Sequence, residues 1–110
     1  MTRTLPEPAA EDLDMTAILG ALVDPARRAI MRAMYRGPEP FDCSASTWCE
    51  TLGITAPTVS HHFRTLREAG LTRTVVEGRT RTVAARREDV ERRFPGLLQA
   101  VLGPEEDVSG

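Results

Sequence analysis

Residues 44–71 read SASTWCETLGITAPTVSHHFRTLREAGL, and their spacing decides the fold. A short helix, a tight turn and a longer helix closed by glycine follow from the punctuation. Thr47 and Glu50 have the T-x-x-E spacing of a capping box, which predicts a helix start at Thr47 and satisfies two orphan amides together. Gly53 after Leu52 supplies a stop, because glycine takes the left-handed conformation a helix terminus needs. Thr55 is placed to cap the second helix, with Pro57 in its first turn, where a missing amide costs little. Gly70 after Ala69 ends it. On a helical wheel Val59, Phe63 and Leu66 fall within about 60° of one another, while Pro57, Ser60, His61 and Arg64 take the opposite arc. Two helices joined by a short glycine-containing turn form a helix-turn-helix. The outer arc of the second, with its hydroxyls, histidine and arginine, suits the major groove of DNA.

The period then changes. Leu71-Thr72-Arg73-Thr74-Val75-Val76-Glu77 and Thr80-Arg81-Thr82-Val83-Ala84 are rich in β-branched residues, and Gly78-Arg79 between them makes a turn. An isolated two-stranded ribbon is marginal, so this one must pack on the helices. A helix-turn-helix followed by a basic ribbon is a winged helix. The fold class is therefore mainly α with a small β-hairpin. Arg79 and Arg81 are suited to phosphates or the minor groove, where cationic charge is attracted without much sequence reading.

Working outward, Met15, Ile18, Leu19, Leu22 and Val23 recur at helical spacing and predict a first helix. Asp24 caps a second with Pro25 at its first position, and Ala29, Ile30, Ala33 and Met34 are its core stripe. Gly37 and Pro38 stop that helix. Phe41 is expected to tuck into the core, as is Trp48. Beyond the wing, Arg87 to Arg93 predicts a short helix, and Leu97, Leu98, Val101 and Leu102 form a further apolar stripe. So small a domain is not expected to bury all of that stripe. With Ile18, Leu19 and Leu22 it makes a natural two-fold interface. The organisation read from the chain is a flexible tail over 1–11, one domain over 12–103, and an acidic tail over 104–110.

Charge distribution fits a nucleic-acid partner better than the total does. The 110 residues carry a net −2, but residues 54–87 hold Arg64, Arg67, Arg73, Arg79, Arg81, Arg86 and Arg87 against Glu68 and Glu77, a local +5. Acids gather at both ends of the chain. A basic face on a near-neutral body is the electrostatic footprint of a modest DNA-binding domain. Two cysteines, no apolar run near 18 residues and no signal-like start point to a reduced, cytoplasmic protein with no membrane partner. No catalytic set, glycine-rich phosphate loop or close carboxylate pair suggests an enzyme.

The fragments Asp24-Pro25-Ala26-Arg27-Arg28-Ala29-Ile30, Leu52-Gly53-Ile54, Thr58-Val59-Ser60-His61-His62-Phe63, Leu66-Arg67-Glu68-Ala69-Gly70-Leu71 and Glu77-Gly78-Arg79 together resemble the ArsR/SmtB-type bacterial repressors. The resemblance covers roughly residues 15–102. It implies a homodimeric winged helix-turn-helix repressor whose N- and C-terminal helices form the dimer interface.

Many members of that family sense metals, and the usual ligands are missing. Where the family's Cys-x-Cys pair would stand, this chain has Ser44 and Ser46. Cys43 is one residue off and Cys49 falls inside the helix. Six residues apart on a helix, they would point about 240° apart, too far for one ion. Residues 87–103 contain no histidine, and His61 and His62 point roughly 100° apart. Neither a metal nor another cofactor is expected.

The sequence thus predicts a DNA-binding regulator, a dimeric repressor on an inverted repeat. Pro57, Thr58, Ser60, His61 and Arg64 face base edges and nearby phosphates, and Arg79 and Arg81 grip the backbone. Its partners are double-stranded DNA and a second copy of itself, with room for a small-molecule effector. Two other readings stay open: a metal- or thiol-responsive repressor of the same fold, and a winged-helix protein-interaction module.

Overall fold

The computed structural model describes residues 1–37, 41–42 and 45–103, with the backbone alone at 41–42 and 45–47. In chain order the elements are β1 (Thr2–Thr4), a 3₁₀ turn (Ala10–Asp12), α1 (Met15–Leu22), α2 (Pro25–Arg36), β2 (Phe41–Asp42), α3 (Ala45–Leu52), α4 (Ala56–Glu68), β3 (Thr72–Glu77), β4 (Thr80–Ala85), α5 (Arg87–Arg93) and α6 (Leu97–Leu102). The winged helix-turn-helix expected from the sequence is present. Cys43 and the acidic segment 104–110 lie outside the described residues, as does the side chain of Phe41.

Local chemistry starts and stops these helices. Asp14 caps α1 by accepting from the Ala17 amide at 3.0 Å. Asp24 caps α2 by accepting from the amides of Ala26 at 2.7 Å and Arg27 at 3.3 Å, with Pro25 leading the helix. α3 begins at Ala45, two residues before the expected cap, so Thr47 lies within the first turn. The T-x-x-E spacing marks this helix but not its boundary. Thr55 precedes α4 as its N-cap residue, and its hydroxyl lies 3.0 Å from that of Thr58 without reaching a backbone amide. Gly70, at φ +88°, ends α4, and the chain turns so that Leu71 N–H donates to the Leu66 carbonyl.

The sheet is larger than the predicted ribbon. Its order is β1-β3-β4-β2, antiparallel throughout. The central hairpin runs Thr72↔Ala85 to Glu77↔Thr80. β2 pairs Phe41 with Val83 on one side, and β1 pairs Thr2–Thr4 with Glu77–Val75 on the other. The N-terminal segment, predicted as a flexible tail over 1–11, is therefore laid along the wing. Backbone pairing holds β1, and such pairing leaves no apolar periodicity to read in the sequence.

Ile18, Ile30, Met31, Met34, Leu66, Leu71, Val83, Val90 and Leu98 fill the core between the helices and the inner face of the sheet. Trp48 of α3 is buried and meets Phe63 of α4 edge-on, ring centroids 6.0 Å apart, which fixes the two helices of the motif against each other.

Burial within the single chain divides the residues of the expected dimer interface. Ile18, Leu22, Leu98 and Leu102 are at most 3% exposed in a single chain. They close the protomer's own core and have no surface left to share. Leu97 and Val101 are half-buried, and Leu19 is 46% exposed. Helical periodicity identifies an apolar stripe without saying which neighbour covers it.

Candidate nucleic-acid interface

α4 carries the site because its two faces are chemically separate. Val59, His62, Phe63 and Leu66 face inward and are buried. Pro57, Ser60, His61 and Arg64 are exposed, and Thr58 is half-buried. The inward histidine is held by α2: the Arg27 Nη1 donates to Nδ1 of His62 at 3.1 Å, while Arg27 Nε donates to the Ala21 carbonyl at 2.6 Å. Because guanidinium has no acceptor, this contact places the His62 proton on Nε2. Burial lowers the His62 pKa below the usual imidazole value; Asp24 opposes the shift, and Arg27 and His61 reinforce it.

Ser60 and Arg64 of α4 and Arg81 of β4 line one cleft of about 290 Å³, together with Leu5, Phe63 and Arg67. α4 and the β3–β4 hairpin thus converge on a shared concavity with cationic walls. Arg79 stands exposed at the tip of the β3–β4 turn. Pro57, Thr58 and His61 belong to the same helix but do not line the cleft. The structure brings Ser60, Arg64 and Arg81 together and spreads the other predicted contacts along a continuous surface.

The arginines divide into two groups. Arg67 donates to the Pro6 carbonyl at 3.2 Å. Arg73 binds Glu7 with two nitrogens, Nε at 2.9–3.0 Å and Nη2 at 2.6 Å, and the hydrogen bonds to Glu7 raise its pKa. Arg86 is buried between Asp89, at 3.0 Å, and the Pro8 carbonyl, at 2.7 Å. Arg87 caps the end of α2 through the carbonyls of Met34 and Tyr35 and lies 4.4 Å over the Tyr35 ring. These four brace the fold, so the local charge excess overstates what is free to meet a polyanion. Among the described residues, Arg64, Arg79 and Arg81 have no internal hydrogen bond or ion pair.

Sequence reasoning missed the contribution of the N-terminus. Leu5 enters the cleft, and Arg3 lies exposed beside the wing. A signal was present: Thr-Arg-Thr occurs at 2–4, 72–74 and 80–82, and all three copies are strands. Among the described residues no three His, Cys, Asp or Glu side chains gather to hold a metal, and no helix is long and apolar enough to cross a membrane. Cys49 is a half-buried thiol on α3.

Known proteins resemble this chain in sequence and in fold. A helix-turn-helix domain model matches residues 22–75. The chain is 36% identical over 92 residues to an uncharacterized HTH-type transcriptional regulator, YceK, of Bacillus subtilis (strain 168), covering 84% of this chain and 90% of that one. The crystal structure of an ArsR family transcriptional regulator superposes with a TM-score of 0.59 at 28% identity, covering 96% of this chain and 99% of the other.

Proposed function

Because the chain belongs to the ArsR-type winged helix-turn-helix family of DNA-binding transcriptional regulators, we propose that it is a homodimeric cytoplasmic repressor acting on an inverted-repeat operator. The observation that carries this reading is the cleft shared by Ser60, Arg64 and Arg81, whose two arginines have no internal partner. α4 enters the major groove. Arg64 there is suited to a bidentate contact with guanine, and Thr58, Ser60 and His61 meet neighbouring base edges or phosphates, with Pro57 at the rim. Arg79 and Arg81 reach the flanking backbone. A repressor of this kind works by occupancy, so no catalytic step belongs to the reading.

Dimerisation is supported by an apolar ridge on α1. Met15, Leu19 and Val23 are 39%, 46% and 71% exposed and four residues apart, so they lie on one helical face. Large apolar side chains gathered on a monomer's surface mark a contact site. Leu97 and Val101 on α6 are the half-buried residues that would extend it. Two-fold symmetry sets half-sites about one helical turn apart, roughly 34–36 Å.

The test is fluorescence anisotropy of the full chain with the duplex upstream of its own gene and with a scrambled duplex, titrated with salt. Tight binding to the first that weakens steeply with salt is expected. Equal, weak binding to both would remove the operator reading and favour a protein-interaction role for the same fold.

A further inference from the structure

Resting on that DNA-binding reading, we propose that the N-terminal strand is a third strand of the wing and that Arg3 delivers a further cationic contact to the nucleic-acid backbone. The register places it. Arg3 pairs with Val76, and Val76 pairs with Arg81. Directly opposed residues of antiparallel strands project from the same face of a sheet, so Arg3 and Arg81 lie in one row on one face. Two strand spacings, about 9–10 Å, separate their backbones, enough for each guanidinium to meet a different phosphate.

Alternation along β1 agrees. Two residues on, Leu5 falls on the same face as Arg3, and it lines the cleft with Ser60, Arg64 and Arg81. The row that ends in Arg3 therefore borders the concavity walled by the recognition helix. Arg3 is exposed, and among the described residues it has no hydrogen bond or ion pair, unlike the arginines that brace the fold.

The segment that carries it is firmly seated. Leu5 N–H donates to the Thr74 carbonyl at 2.9 Å, Arg67 holds the Pro6 carbonyl, Arg73 holds Glu7 and Arg86 holds the Pro8 carbonyl. An arm already ordered along the wing gives up little conformational freedom when it meets a ligand. The competing role for Arg3 is to keep an exposed sheet edge from pairing with other chains, as charged edge residues do. That role needs no DNA.

The experiment uses the full chain with Arg3→Ala, Arg3→Lys and Arg81→Ala, titrated against the upstream duplex over a range of salt. Arg3→Ala is expected to weaken binding severalfold and to reduce the slope of log K against log [salt] by about one per bound chain. Base preference and thermal midpoint should be unchanged, and Arg3→Lys should recover most of the slope. Wild-type affinity and slope in Arg3→Ala, alongside losses in Arg81→Ala, would overturn the proposal and leave the repressor reading standing. A binding loss accompanied by a lowered midpoint and not restored by lysine would make Arg3 a brace of the sheet, also overturning it. If the unmodified chain does not prefer the upstream duplex over a scrambled one, the DNA reading itself fails and the proposal falls with it.

Discussion

Arg27 on α2 donates a 3.1 Å hydrogen bond to Nδ1 of His62 on the buried side of α4, so the second helix of the helix-turn-helix is anchored through an imidazole. Asp24 lies beside the pair and caps α2 by accepting from the amides of Ala26 and Arg27. Burial opposes ionisation of that carboxyl, but the two amides, with His62 and Arg27 nearby, lower its pKa overall. The anchor needs the imidazole neutral, since a protonated His62 has no lone pair left for Arg27.

A pH dependence of stability follows. The folded-state pKa of His62 is depressed, with burial the largest cause. The unfolded chain therefore binds the proton more readily, and stability is lost as pH falls from about 6.5 through the lower folded value. Denaturant midpoints should drop between neutral pH and about pH 5.5. In His62→Gln, whose side-chain carbonyl can still accept from Arg27, that drop should shrink. Asp24, also depressed, acts only below about pH 5 and so falls under that window. Parallel pH profiles for the two proteins would show that His62 does not titrate with unfolding.

Helix and wing should be separable by mutation. Arg64→Ala is expected to lose about 1–3 kcal/mol of discrimination at one base-pair position. Arg79→Ala should weaken binding to every sequence alike and lower the salt slope by about one. Competition against single-base operator variants distinguishes them. A change of base preference in Arg79→Ala would make the wing a direct reader.

Much of this was legible in the chain because local signals agreed with the global fold. The apolar stripe Val59–Phe63–Leu66, the stop at Gly70 and the β-branched runs flanking Gly78 each fixed an element that is present. Asp24-Pro25 marked the start of α2 for the same reason that it works there: a carboxylate facing free amides. What was not legible depended on tertiary pairing. β1 is short, polar and held by backbone, so residues 1–11 looked unconstrained. Arg67, Arg73, Arg86 and Arg87 counted equally with Arg64 until their partners appeared, and each of the four has one in that N-terminal segment or in α2. Ile18 and Leu19 are adjacent in one apolar stripe, yet one is fully buried and the other 46% exposed.

That contrast gives a test of assembly. Leu19→Arg places charge on the exposed ridge of α1 without touching the core, so helical content should be retained. Sedimentation should then show a dimer for the unmodified chain and a monomer for Leu19→Arg. Affinity for an inverted repeat should fall roughly 10²-fold, because two half-sites would no longer be engaged by one particle. A Leu19→Arg protein that remains dimeric would move the interface elsewhere.

Gly70 ties the end of α4 to the N-terminal segment and offers the sharpest test of that packing. A Cβ added there would overlap Leu13 Cδ2 and press on Pro8 Cγ at 3.3 Å, on a backbone at φ +88°. Leu13 is 3% exposed, so its side chain can yield only by disturbing packed neighbours. Gly53 provides the control: its φ is +69°, but an added Cβ would meet nothing within 4 Å. Left-handed strain alone costs about 1–2 kcal/mol, and forced overpacking adds about 1–3 kcal/mol. Gly70→Ala should therefore destabilise by roughly 2–5 kcal/mol in denaturant unfolding, clearly more than Gly53→Ala. Because the displaced atoms belong to Leu13 and Pro8, the Leu5 amide, bonded to Thr74 in the native sheet, should also exchange faster in Gly70→Ala and not in Gly53→Ala. Equal destabilisation in the two variants, with unchanged Leu5 exchange, would mean that the N-terminal segment is not seated on the end of α4.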